Sequence, residues 1–173
     1  MCGFANGRYI YLNLEKIKTT IGIDPDVTKS GVAIFRDGVI TEATAMQFPE
    51  LLDLLRYEIQ NCLPCNELTI VIEAGWKNAS NWHIRRGYSP AYYAKMGEGV
   101  GRCHQVGILL NEYCEAINDK NAVILTPKPL KKIWRGRDGK ITAGELERLT
   151  GYKGRTNQEA RDAALLAWTY RNY

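Results

Sequence analysis

The sequence predicts an α/β domain: a five-stranded mixed sheet, an antiparallel meander of three strands plus two parallel strands, flanked by helices. Three observations lead there. Short apolar segments at residues 20–24, 31–35 and 39–46 follow one another through tight turns. After them, helical and strand periods alternate. The chain then closes on two segments that each open with a helix-capping signal.

The elements follow in order. Residues 1–18 read as an N-terminal extension, and residues 19–173 as one domain, as a length of 173 suggests. Residues 20–24 (TIGID) form a buried strand that ends in an acid, and residues 31–35 (GVAIF) form the second. Asp37-Gly38 is a two-residue hairpin signal, so residues 39–46 return as the third strand. Leu51, Leu52, Leu54, Leu55 and Ile59 recur at helical spacing over 49–61. Residues 68–73 (LTIVIE) are again a buried strand ending in an acid. Residues 77–89 have no clear period and read as a loop or short helix. A long helix follows over 90–117, with Ala91, Ala94, Gly97 and Gly101 on one face where another backbone can approach. Residues 122–125 make the fifth strand. Thr142-x-x-Glu145 and Thr156-x-x-Glu159 each read as a capping box opening a helix, the first stopping near Gly151.

Composition narrows the class. With 45% apolar and 24% charged residues, the chain is neither disordered nor fibrous. No apolar run approaches the ~20 residues that span a bilayer. The N-terminal stretch is broken by polar residues, so no signal peptide is expected and the expected location is cytoplasmic, with no membrane partner. An odd cysteine count argues against a disulfide framework. Cys62-Leu-Pro-Cys65 follows a helix and precedes a strand, the reverse of a redox pair at a helix start. His83 and His104 are the only histidines, which gives zinc little support.

The net charge of +4 is mild but unevenly distributed. Lys77, Arg85, Arg86, Lys95 and Arg102 share residues 74–105 with one acid, Glu98. Lys128, Lys131, Lys132, Arg135, Arg137 and Lys140 share residues 126–140 with one acid, Asp138. Two such segments in one domain fit either a phosphate-rich ligand or two solvated surfaces.

Four acids hold the candidate chemistry. Asp24 and Glu73 end strands, and Glu159 and Asp162 lie three apart on the last helix, on one face. If those strands are neighbours and the helix packs on them, the four carboxylates converge. Like charges at that density do not all stay ionised cheaply. Hard divalent cations such as Mg²⁺ or Mn²⁺ relieve the repulsion. Each acid also has a purely structural explanation. Asp24 starts a turn before Pro25, Glu73 is a solvated strand end, Glu159 caps its own helix, and Asp162 complements the helix dipole.

Four stretches match a known pattern: Gly22-Ile-Asp-Pro with Gly31, Ile72-Glu73, Met96-Gly97-Glu98-Gly99, and Glu159-x-x-Asp162-Ala-x-x-Leu166. In these, residues 19–172 resemble RuvC-type Holliday junction resolvases of the ribonuclease H-like superfamily. The resemblance implies a ribonuclease H-like fold and metal-dependent hydrolysis of phosphodiesters in four-way DNA junctions. It maps the four acidic ligands of two Mg²⁺ or Mn²⁺ ions onto Asp24, Glu73, Glu159 and Asp162. It places basic catalytic-loop positions at Lys131, Lys132 and Lys140, and it implies a homodimer that makes two symmetric cuts. Branched DNA would then lie along Lys77, Trp82, Arg85, Arg86, Tyr88, Lys128, Lys132, Arg135 and Arg137, with Trp76 and His83 beside them. The chain departs from the family pattern at Glu159, where Asp or His is usual, and in a longer, more aromatic 76–93 segment.

Other readings remain open at this level. The acids fit equally a ribonuclease H-like nuclease acting on RNA–DNA hybrids, flaps or structured RNA. A non-catalytic nucleic-acid-binding module would lack one of the acids. An actin-like ATPase needs two such domains, and this length supplies one.

Overall fold

The computed structural model describes residues 4–5, 8–9, 16–63, 66–78, 87–119 and 122–173. Two short strands, β1 (Phe4–Ala5) and β2 (Arg8–Tyr9), pair antiparallel with each other. The main sheet contains β3 (Lys18–Asp24), β4 (Ser30–Arg36), β5 (Val39–Met46), β6 (Glu67–Ile72) and β7 (Ala122–Leu125). Its spatial order is β5-β4-β3-β6-β7. The pairs β5–β4 and β4–β3 are antiparallel, and β3–β6 and β6–β7 are parallel. This is the expected five-stranded mixed sheet, three strands in a meander and two parallel, with β3 at its centre. Asp37 and Gly38 both adopt positive φ (46° and 92°), as the two-residue hairpin between β4 and β5 requires.

Helices cover both faces: α1 (Phe48–Gln60), α2 (Pro90–Ile117), α3 (Ala143–Thr150) and α4 (Gln158–Thr169). The parallel pairs need crossovers, and α1 and α2 supply them. Strand alternation sorts the core. Ile21, Ile23, Val32, Ile34, Ile70 and Ile72 meet Leu51, Leu55 and Ile59 of α1 and Leu110 and Cys114 of α2. Ala33, Phe35, Ile40 and Ala43 face the other way, against Leu146 of α3 and Ala160, Ala163, Ala164 and Ala167 of α4. Burying each Leu or Ile contributes about 1.5–3 kcal/mol, so either face alone outweighs any single loop interaction.

Within the described residues, the close backbone approach is that of α4 to the sheet. A Cβ at Gly22 would stand 2.3 Å from the Ala163 carbonyl oxygen. With glycine in β3 and β4 and alanine on the helix, α4 lies almost directly on the sheet. No described atom comes within 4 Å of a Cβ added at Gly97, Gly99 or Gly101, so that stretch of α2 is open among the described residues. Farther along, Gly107 does take a neighbour, the Trp76 ring.

The capping of α4 corrects a sequence expectation. Its N-cap is Asn157, whose side chain accepts from the Ala160 N–H, one residue later than the Thr156 box. Glu159 therefore caps nothing in that box. The box at Thr142 and Glu145 forms as expected, and Gly151 ends α3 in the left-handed conformation. Among the described residues, no helix is long and apolar enough to cross a membrane.

Candidate functional site

The parity of the two central strands aims two acids at one place. On β3, Ile21 and Ile23 enter the α1–α2 core, so Gly22 and Asp24 face α4. On β6, Leu68, Ile70 and Ile72 enter that same core, so Glu73, one residue past the strand, faces α4 as well. The Glu73 N–H donates to the Ile23 carbonyl at 2.9 Å, extending the parallel ladder and fixing the register of the two acids. α4 adds Asp162, and the loop before α3 adds Lys140. Asp24, Glu73, Asp162 and Lys140 line one cavity with Lys131, Lys132, Trp134 and Ile141.

The loop is shaped to deliver Lys140. The Trp134 N–H donates to the Gly139 carbonyl (3.0 Å) and the Gly136 N–H to the Lys140 carbonyl (2.9 Å), which closes a tight turn. Asp138 and Gly139 both take positive φ there. The buried Glu145 carboxylate ties the loop to α3, accepting from the Arg135 N–H (3.1 Å) and from the Thr142 N–H (3.0 Å) and hydroxyl (2.7 Å). These hydrogen bonds hold its carboxyl below the usual glutamate range, that of the Thr142 hydroxyl foremost.

Lys140 Nζ donates to Asp162 Oδ2 at 2.6 Å. The other Asp162 oxygen, Oδ1, accepts from Gln158 Nε2 at 2.7 Å, one helical turn back. Gln158 is itself held by Arg161, whose Nη2 donates to Gln158 Oε1 at 2.9 Å.

The electrostatics are those of crowded carboxylates. Burial, then the charges of Glu73 and Asp162, push the Asp24 carboxyl well above its ordinary 3.8, against the opposing pull of Lys140. Burial and then Asp162 also raise Glu73, while Lys140, Lys132 and a hydrogen bond from the Leu130 backbone oppose. Burial disfavours the Lys140 ammonium. The hydrogen bond and charge of Asp162, with Asp24 and Glu159, outweigh that and hold it above its usual value.

The sequence-level candidates divide accordingly. Asp24, Glu73, Asp162, Lys131, Lys132 and Lys140 share the cavity. Glu159 sits on the first turn of α4 outside the lining, and its charge acts on Asp24 less than those of Glu73, Asp162 and Lys140. Lys128, Arg135 and Arg137 lie exposed on the neighbouring loop. Lys77 is exposed too, but its ammonium donates to the Thr126 backbone and hydroxyl oxygens. Tyr88 is exposed and stacks on Tyr92, ring centroids 4.3 Å apart. Trp76 is partly buried in the α1–α2 core. Trp82, His83, Arg85 and Arg86 lie outside the described residues. Sequence reasoning missed Gln158, an amide beside the Glu159-x-x-Asp162 acids that belongs to no motif position itself, and Trp134 on the cavity wall.

The donor set is all carboxylate oxygen, which suits a hard divalent cation. As the side chains stand, no three of the described His, Cys, Asp and Glu residues converge as metal ligands, and the Lys140 ammonium serves as counter-charge to the cluster.

No family model matches the chain, and no curated protein matches it. Among solved structures, the chain is similar to T. thermophilus RuvC in complex with a Holliday junction substrate, at a TM-score of 0.48 and 11% identity. That match covers 88% of this chain and 92% of the other. A second is to a Thermus thermophilus RuvC structure, at a TM-score of 0.45 and 12% identity over 88% and 92% of the two chains.

Proposed function

We propose that the protein is a divalent-metal-dependent endonuclease that resolves four-way DNA junctions by phosphodiester hydrolysis. The observation that carries this reading is the convergence of Asp24, Glu73, Asp162 and Lys140 on one cavity, with Lys131 and Lys132 in its wall. Three half-buried carboxylates beside a cationic rim suit a site that takes a metal and a phosphate together. The sequence resemblance to RuvC-type resolvases supports the same chemistry and supplies the substrate.

Asp24, Glu73 and Asp162 would hold the Mg²⁺ or Mn²⁺, with Glu159 completing the set for a second ion. Bound divalent ions supply the charge that polarises the phosphate and makes water nucleophilic near neutral pH. The protein's own part is orientation and charge. Gln158 fixes one oxygen of Asp162, so its carboxylate keeps one orientation across turnovers. Lys131 and Lys140 offset charge that develops on the scissile phosphate. Lys128, Arg135 and Arg137 follow the backbone of the branched DNA. Two symmetric cuts need two such sites, so we infer a homodimer, for which the open face of α2 at Gly97 and Gly101 offers room.

The test is a substrate comparison. A labelled synthetic four-way junction, a linear duplex and an RNA–DNA hybrid are incubated with Mg²⁺ or Mn²⁺. Paired symmetric nicks in the junction alone support the reading. Cleavage of the hybrid alone replaces it with a related nuclease. Binding without cleavage of any substrate leaves a nucleic-acid-binding module.

A further inference from the structure

We propose that Lys140 is a built-in counter-ion that holds the place of a divalent cation, so that metal enters the cluster only as the ammonium leaves Asp162. The inference rests on the nuclease reading above and concerns the order in which that site is filled. Both oxygens of Asp162 are engaged: Oδ2 by Lys140 Nζ at 2.6 Å, and Oδ1 by Gln158 Nε2 at 2.7 Å.

The two partners differ in how firmly they are held. Gln158 is clamped. Its Oε1 accepts from Arg161 Nη2, which dictates that its amide nitrogen points at Asp162. Arg161 in turn donates to the backbone oxygens of Thr156 (2.9 Å) and Ile141 (3.2 Å). Releasing Oδ1 therefore means dismantling a chain of hydrogen bonds across the start of α4. Lys140 is anchored at its backbone, where its carbonyl accepts from the Gly136 N–H and its own N–H donates to the Arg137 carbonyl. Its side chain is a flexible four-carbon stem, a third exposed, facing a cavity that Lys131 and Lys132 also line. Oδ2 is thus the oxygen that opens, and it opens by a side-chain swing.

An ammonium 2.6 Å from Oδ2 repels a divalent cation that approaches the same oxygen, so the two compete for it. Whatever draws Lys140 away favours the metal, and a phosphodiester entering the cavity is an anion able to do so. Metal and phosphate then bind with positive coupling, each raising the affinity for the other by the same factor. The arrangement disfavours a loaded cluster without substrate.

The test measures metal affinity and needs no turnover. Mn²⁺ is titrated into the DNA-free protein and the free ion is followed by electron paramagnetic resonance. Lys140→Met is compared with wild type and with Lys132→Met, which removes the same charge from the same cavity but no hydrogen bond to Asp162. Lys140→Gln serves as a second variant, and circular dichroism confirms the fold of each. The proposal expects both Lys140 variants to bind Mn²⁺ about fivefold or more tightly than wild type, and Lys132→Met to change little. Unchanged or weaker binding in the Lys140 variants overturns it and leaves the nuclease reading intact. Equal tightening in Lys132→Met also overturns it, since the effect is then one of overall charge. Absence of Mn²⁺ binding in every protein, the Lys140 variants included, overturns it too, and the junction-cleavage comparison then decides the nuclease reading separately.

Discussion

Gly31 of β4 and Glu159 of α4 meet backbone to backbone: a Cβ on Gly31 would stand 2.0 Å from the Glu159 carbonyl oxygen. That approach seats the first turn of α4 on the sheet, and Asp162 lies one turn further along. A missing side chain on β4 thus sets where a carboxylate on α4 stands relative to Asp24 and Glu73.

Gly31→Ala accordingly damages both stability and site. The nearest atoms belong to the helix backbone rather than to a flexible side-chain end, so the helix must shift. Urea denaturation should show a loss of about 1–3 kcal/mol or more. Gly144→Ala, on α3 with nothing within 4 Å of the new methyl, should instead gain about 0.5–1 kcal/mol.

Gln158→Leu removes the clamp on Asp162 Oδ1 while keeping side-chain bulk. Metal-dependent cleavage should fall about 10–100-fold, with junction affinity in the absence of metal unchanged. A fall in DNA affinity matching the fall in cleavage would assign Gln158 to substrate binding.

The raised carboxyls predict a pH dependence of the metal-free protein. Asp24 and Glu73 bind protons more tightly folded than unfolded, burial being the leading cause for each. Their contribution to stability is therefore present below their ordinary values and is lost as pH rises through the folded values. Asp24→Asn removes one such charge. Its urea midpoint should exceed that of wild type at about pH 8, with the gap closing toward about pH 4. A gap that widens toward acid pH would contradict the sign.

Salt dependence separates the basic residues. Alanine at Lys128, Arg135 or Arg137 should weaken junction binding. Each should also reduce the slope of log affinity against log salt by about one for every phosphate that the native side chain neutralises. Lys77→Ala, whose ammonium is tied to Thr126, should leave that slope nearly unchanged. An equal reduction for Lys77 would place it on the DNA.

Much of the fold is legible in the sequence because the period changes are sharp. The Asp37-Gly38 hairpin, the Leu spacing of α1 and the bounds of α2 and β7 each follow from a local rule. The start of α4 is less legible, because Thr156 and Asn157 are both good caps and only tertiary packing selects the second. The role of small residues is legible in kind: within the chain it is Gly22 and Gly31 that receive a backbone, that of α4, positions whose use the strand pattern alone does not announce. Asp24 and Glu73 announce themselves as acids at the ends of apolar strands. Gln158 does not, since its importance lies in a partner one turn away and an arginine that fixes its amide.

The most direct measurement is cleavage of a labelled four-way junction by wild type and Asp24→Asn, side by side, with and without Mg²⁺ or Mn²⁺. Wild type should make paired nicks that require the metal, and Asp24→Asn should make none while it stays folded and still binds the junction. Cleavage that survives in Asp24→Asn, or that proceeds in chelator, would contradict this reading.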